Sequence, residues 1–364
     1  MSTPLRMISR AALSAALLAL TTVACSGDDG ERAEGDQPET TTDASVDAST
    51  GVDASTGTDA GTGTDGAIGD GGAATGSAIK HIFVITMENR DAPAIIGNTD
   101  DAPYINGTLL PISAMSSNFN DELPDLPSEP HYIVMEAGTN AFEDHTFTDD
   151  DDAADDNSTG NTEHLATQIL NAGNGVTWMA YQEDIDEDTG ACPIESSGVY
   201  AAKHDPFVFF QDIAGSPPSK DNALCAAHHK DLPALTDDLA AGTVASYNFI
   251  TPNLCHDMHG AFSCFSLNFI RDGDDWLSEN LPPIIEFANA NSGVVFLVWD
   301  EGEDTTQMPF IVTGPGVKPG FVGDVAYDHG SMLRSVEEIL ELPILPTVES
   351  ASDLSDLFQP GFFP

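Results

Sequence analysis

Basic residues are scarce in this chain. Only 11 of its 364 residues are Lys or Arg, against 60 Asp and Glu, for a formal net charge of −49. Binding a phosphate polymer or an anionic bilayer through long-range electrostatics needs a field of the opposite sign, so nucleic acid and anionic membrane surfaces are excluded as electrostatic partners. Long apolar runs are missing as well. The apolar stretch 11–24 is too short to span a bilayer. Cysteine is limited to five residues with no Cys-x-x-Cys spacing, which argues against a structural zinc site.

The amino-terminal region reads as a targeting segment. Arg6 and Arg10 precede the apolar stretch, and Thr22, Val23 and Ala24 lead to Cys25 and a polar tail. This pattern is that of a secretory signal, and small residues before Cys25 resemble a bacterial lipoprotein cleavage site, although Thr22 stands where leucine is usual. Lipid on Cys25 would be the route of membrane attachment, giving a cell-envelope lipoprotein at the outer membrane or cell surface. Ordinary signal cleavage, giving a secreted protein, is the alternative. Residues 26–78 are Asp, Thr, Ser, Gly and Ala with a repeated DASTG at 47–51 and 53–57. Such a stretch buries too little to offset its chain entropy and reads as a flexible tether.

The remaining segment, 79–364, is long enough for one large domain. It carries 48 acidic and 8 basic residues, a net of −40. Strand-like runs occur at 81–87, 176–181, 244–250, 294–299 and 309–313, with helical patterns at 163–171, 231–241, 282–290 and 331–341. That alternation predicts an α/β fold with a mostly parallel sheet and helices on both faces. Four cysteines in an exported domain favour two disulfides, Cys192–Cys225 and the short loop Cys255–Cys264. The acidic loop 148–162 offers oxygen ligands without the spacing of an EF-hand and reads as solvated.

Chemistry concentrates where apolar runs stop. Glu88 and Asn89 end the first run, and Asp300 and Glu301 end 294–299. Adjacent carboxylates at the end of a buried strand are costly without a cation, and the carboxyl edge of a parallel sheet is where such folds bind ligands. Taken alone, Asn89 is equally well a helix cap. Ser128 lies between Pro127 and Pro130 on a stiff turn; alone it reads first as a helix cap, and beside a metal as a nucleophile. His204 follows Lys203, and the segment 253–259 packs Asn253, His256, Asp257 and His259 into seven residues. His131 and His329 are further candidates. Oxygen-rich ligands suit one divalent cation, Ca²⁺, Mg²⁺ or Mn²⁺ ahead of Zn²⁺. Together these residues describe a metal-assisted hydrolase with a serine nucleophile.

Seven segments in register carry a family resemblance: 79–89 (IKHIFVITMEN), 101–106 (DAPYIN), 127–132 (PSEPHY), 203–207 (KHDPF), 251–259 (TPNLCHDMH), 298–302 (VWDEG) and 314–320 (GPGVKPG). They resemble the bacterial phosphoesterase family of acid phosphatases and phosphatidylcholine-type phospholipases C, within the alkaline phosphatase superfamily. The resemblance implies a three-layer α/β/α sandwich with Glu88, Asn89, Ser128, Asp300 and Glu301 at a metal. It also implies a phosphoseryl intermediate on Ser128, with His204 and His259 at the phosphate or in proton transfer. His131, Asp257 and His329 would be less defined members of the site. Two departures bear on substrate choice: His131 stands where an Asn is usual, and Arg90-Asp91-Ala92 follows Asn89. The expected reaction is hydrolysis of phosphate monoesters. The alternatives are a phospholipase C-type phosphodiesterase and a non-catalytic, calcium-binding surface lipoprotein.

Overall fold

The computed structural model describes residues 77–186 and 188–364. The signal segment, Cys25 and all but the last two residues of the tether lie outside them. The centre is an eight-stranded sheet of β1 (His81–Met87), β2 (Ala114–Asn120), β3 (Trp178–Gln182), β4 (His229–Asp231), β5 (Tyr247–Thr251), β6 (Gly293–Trp299), β7 (Gln307–Thr313) and β8 (Val322–Gly323). Its order is β4-β3-β5-β1-β6-β7-β2-β8, and every pairing is parallel except those that β7 makes with β6 and β2.

The central strands are continuous apolar runs because both faces of the sheet are covered. Every residue of β6 is buried, as are the last six of β1. Register separates the two faces. Phe83 pairs with Asn248 and Val84 with Phe249, so Phe83 and Phe249 point to opposite sides. Phe83 meets Phe287 of the long helix Phe269–Asn291, with ring centroids 6.0 Å apart. Phe249 meets Tyr132 of the helix Ser128–Ala137 at 6.2 Å. The helix His329–Ile339 packs beside Ser128–Ala137. The fold is thus an α/β/α sandwich with a mostly parallel sheet, as the alternation predicts. No helix among the described residues is long and apolar enough to cross a membrane.

All five strands read from the sequence form, with edges shifted by up to three residues. Three strands were not foreseen: β2, β4 and β8. The helix read from 282 begins at Phe269 and continues through Pro282 and Pro283. Both disulfides close as expected, Cys192–Cys225 and Cys255–Cys264.

Candidate active site

The register of β1 and β6 builds the site. Met87 pairs with Trp299, and the Asp300 N–H donates to Met87 O at 3.0 Å, so Glu88 and Asp300 emerge side by side at the carboxyl edge. The Asn89 N–H donates to Asp300 Oδ1 at 3.0 Å, and Asn89 Nδ2 to Glu301 Oε1 at 2.7 Å. The two acidic strand ends, far apart in sequence, thus form one cluster. Asn89 caps no helix here.

Ser128 joins this cluster from the opposite layer. Pro127 is the N-cap residue of the helix and Ser128 its first member. The buried Ser128 hydroxyl lies 3.0 Å from Glu88 Oε2 and 3.1 Å from Glu301 Oε1. One turn on, Tyr132 donates its hydroxyl to Glu88 Oε1 at 2.6 Å. Burial and the neighbouring Glu88 keep the Tyr132 pKa well above its ordinary value, so it remains a donor.

Three carboxylates in the cluster, Glu88, Asp257 and Asp300, are fully buried. Burial, then Glu88 and Glu301, push the Asp300 pKa well above the carboxylate range. Burial and Glu88 do the same to Asp257, although it accepts the His259 N–H at 2.8 Å. Burial and Glu88 also raise Glu301, against the opposing pull of His131. Asn89 Oδ1, Asp257 Oδ2 and Asp300 Oδ2 are buried oxygens without a hydrogen-bond partner among the described residues. Unpartnered buried oxygens at this density are costly, and a hard divalent cation is the species that would satisfy them. The donor set therefore fits the metal expected from the sequence.

The histidines divide. His204 is buried, stacked on Tyr132 with centroids 5.0 Å apart, and its Nε2 lies 3.2 Å from Glu88 Oε1. It lacks the alignment of a hydrogen bond there. Burial draws its pKa down to about 4, so the ring is neutral near pH 7. His259 is exposed, with Nδ1 2.7 Å from Gly260 O. His131 and His329 are both committed to partners. His131 bridges Pro127 O at 2.8 Å and Asp121 Oδ1 at 2.9 Å, and His329 bridges Glu122 at 3.0 Å and Trp299 O at 3.0 Å. The Asp121 and His131 atoms and a Glu301 oxygen lie within 4.8 Å of one another. Arg90 donates to Asn89 O and Met258 O and pairs with Glu303, so it braces the loops around the cluster.

Sequence reasoning passed over Lys203. Its ammonium hydrogen-bonds Asp150 in the acidic loop and is about one-fifth exposed. Burial opposes its charge, yet Glu88 and Asp150 outweigh burial and raise its pKa. The available signal was its rarity: it is one of 8 basic residues in 79–364, inside a quoted motif. Tyr132, Asp121 and Glu122 were also missed.

A model described as the Phosphoesterase family matches residues 125–343. The chain belongs to the phosphoesterase family. The match starts just before Ser128 and takes in Lys203, His204, Asp257, His259, Asp300 and Glu301, while Glu88 and Asn89 precede it. The chain is 28% identical over 282 residues to the phosphatidylinositol-3-phosphatase of Mycobacterium tuberculosis, covering 76% of this chain and 82% of that protein. It is 26% identical over 292 residues to a probable acid phosphatase of Kluyveromyces lactis, 74% of this chain but 60% of that one. The phosphate-repressible acid phosphatase of Penicillium chrysogenum is 28% identical over 191 residues, 49% of this chain and 43% of its own length. Among solved structures, the phosphonate monoester hydrolase of Silicibacter pomeroyi aligns with a TM-score of 0.49 at 12% identity, covering 77% of this chain and 76% of its own. Murine ectonucleotide pyrophosphatase/phosphodiesterase 5 aligns with a TM-score of 0.48 at 11% identity, covering 77% of this chain and 100% of its own. As a member of this family the protein is a phosphoric ester hydrolase, and its two disulfides fit an exported phosphoesterase.

Proposed function

We propose that the protein is an exported, metal-dependent phosphate monoesterase that works through a phosphoseryl intermediate on Ser128. The observation that carries this reading is the Ser128 hydroxyl held between Glu88 and Glu301, beside unpartnered oxygens of Asn89 and Asp300. Glu88, Asn89, Asp300 and Glu301, with Ser128, would hold one divalent cation, which would offset the charge of the phosphate and lower the pKa of the hydroxyl.

The chain's own groups then have defined work. Glu301 accepts the proton of the Ser128 hydroxyl as Oγ bonds to phosphorus and the ester P–O bond breaks. His259, with Nδ1–H directed to Gly260 O, acts as the doubly protonated ring and gives its Nε2 proton to the departing alkoxide. In the second half, water bonds to phosphorus and gives its proton to the neutral His259. The Ser128 oxygen leaves and recovers its proton from Glu301. Neutral His204 and cationic Lys203 are the donors to the non-bridging oxygens.

The relatives' names favour monoesters, since each is called a phosphatase. One of them is named for a phosphorylated lipid, which makes a lipid-borne monoester the second substrate to test. The carboxy-terminal domain would sit at the cell envelope if Cys25 is acylated.

The test is hydrolysis of an aryl phosphate monoester, with and without chelator, by wild type and Ser128→Ala. The expected result is chelator-sensitive turnover that the substitution lowers by at least about a thousandfold. Equal turnover by Ser128→Ala would remove Ser128 from the role of nucleophile. Metal-independent turnover would remove the cation.

A further inference from the structure

The loop 261–268 (AFSCFSLN) carries the most exposed large apolar side chains among the described residues. Phe262, Phe265 and Leu267 are 109%, 108% and 94% exposed. The octet contains no Asp, Glu, Lys or Arg, although 79–364 holds 48 acidic and 8 basic residues. A charge-free tip of large apolar side chains is how a soluble domain marks an interaction surface.

The loop is tied at its middle and at its carboxyl end. The Cys255–Cys264 disulfide fixes Cys264, between Phe262 and Phe265, and the Cys264 N–H donates to Ala261 O at 3.0 Å. At the carboxyl end the Asn268 side chain accepts the Arg271 N–H and caps the helix Phe269–Asn291. The same disulfide-closed segment reaches the site. The Glu88 N–H donates to Asp257 O at 2.7 Å, and Arg90 Nη2 to Met258 O at 2.6 Å. The tip is therefore joined to the site through one short disulfide-closed segment.

We infer that the loop 261–268 is an interfacial anchor that seats the domain on a neutral, zwitterionic lipid surface. Charge selects this occupant. A second copy brings another domain of net −40, and an anionic bilayer is repelled in the same way, whereas a zwitterionic surface is not. Area agrees: three side chains offer on the order of 500 Å², less than the roughly 800 Å² that each partner of a stable protein complex buries. Protruding, uncharged aromatic and aliphatic tips suit the headgroup–acyl boundary of a bilayer. The inference adds a place of action to the phosphatase reading: an ester embedded in, or adsorbed to, a lipid surface would meet the site directly.

The experiment uses the mature chain carrying Cys25→Ser, so that no acyl group contributes, and co-sedimentation with phosphatidylcholine vesicles. The triple variant Phe262→Ser, Phe265→Ser, Leu267→Ser should lose at least about tenfold in partition coefficient. Its kcat/KM on a soluble aryl phosphate should stay within about twofold of the parent, because the exposed tips support no packing. Ile112→Ser, which trims an exposed apolar residue elsewhere, should leave partition unchanged. Adding phosphatidylserine to the vesicles should weaken binding. Equal partition by parent and triple variant, or no partition by the parent, overturns the inference. So does a parent dimer that the triple variant converts to monomer. Failure of the phosphatase reading shows separately, as absence of soluble turnover in every variant.

Discussion

Lys203→Met removes a positive charge that Glu88 and Asp150 stabilise. Methionine keeps much of the unbranched stem and loses the ammonium group. The Lys203 pKa is raised, so the charge is present throughout the working range. A hydrogen bond to a charged partner is worth about 1.5–3 kcal/mol, which corresponds to a loss of roughly 10- to 150-fold in kcat/KM for a phosphate dianion. Affinity for inorganic phosphate as an inhibitor should fall in parallel. Affinity for the divalent cation should hold or rise, since the ammonium repels a cation. These opposite signs separate a phosphate contact from a structural one, because Asp150, the hydrogen-bond partner of Lys203, also accepts the Glu129 N–H at 3.0 Å beside Ser128. The assays are steady-state kinetics at saturating metal, phosphate inhibition and a metal titration. A kcat/KM within about twofold of wild type would refute the assignment. So would phosphate and metal affinity falling together with the unfolding temperature.

Two further outcomes follow from charge. Burial raises the Glu337 pKa from 4.5 to about 7, although its carboxylate accepts the Leu345 N–H at 3.0 Å. The folded state therefore favours the protonated form; that stabilisation is complete below pH 4.5 and is lost as pH rises through about 7. Glu337→Gln should flatten the decline of unfolding free energy across this window by roughly 2 kcal/mol, after allowance for solvent screening, and an unchanged slope in denaturant titrations would remove Glu337 as its source. Salt should help catalysis: the net −40 domain repels a phosphate dianion, and screening shortens that repulsion to about 8 Å near physiological ionic strength, so KM at saturating metal should fall between low and moderate salt. A KM that rises with salt would show that local cations already dominate the encounter.

How much of this was legible follows from burial. β1 and β6 were readable because both faces of the sheet are covered, leaving unbroken apolar runs that stop abruptly at Glu88 and Asp300. β2 was not, because Ser116, Ser117 and Asn118 interrupt its pattern and its pairing with β7 shifts register between Ser116 and Phe119. The long helix was read only from 282, where Pro282 and Pro283 interrupt the pattern that precedes them. The helix runs through them because Trp276, Leu277, Leu281, Ile284 and Ile285 are buried along one side, and that packing outweighs the missing donors. At the site, hard ligands announce themselves beside strand ends. The partners that set their behaviour do not. Asp150 reaches Lys203 across 53 positions and Tyr132 reaches Glu88 across 44, distances only the tertiary fold closes.

The same geometry accounts for how an acidic domain handles an anion. Glu88, Asp257 and Asp300 are all fully buried, and burial, then the charge of Glu88, is what lifts the pKa values of Asp257 and Asp300. As an apo cluster it would either hold protons or repel a phosphate. A divalent cation changes both conditions at once, since it stabilises the ionised carboxylates and reverses the sign of the field that a substrate meets. Lys203, tied to Asp150 and held cationic by Glu88 and Asp150, would add to that reversed field. The exposed carboxylates elsewhere on the domain are screened by solvent and salt and act mainly at long range. On the proposed reading, metal binding, carboxylate ionisation and phosphate binding would form one coupled equilibrium, with affinity for each rising as the others are satisfied.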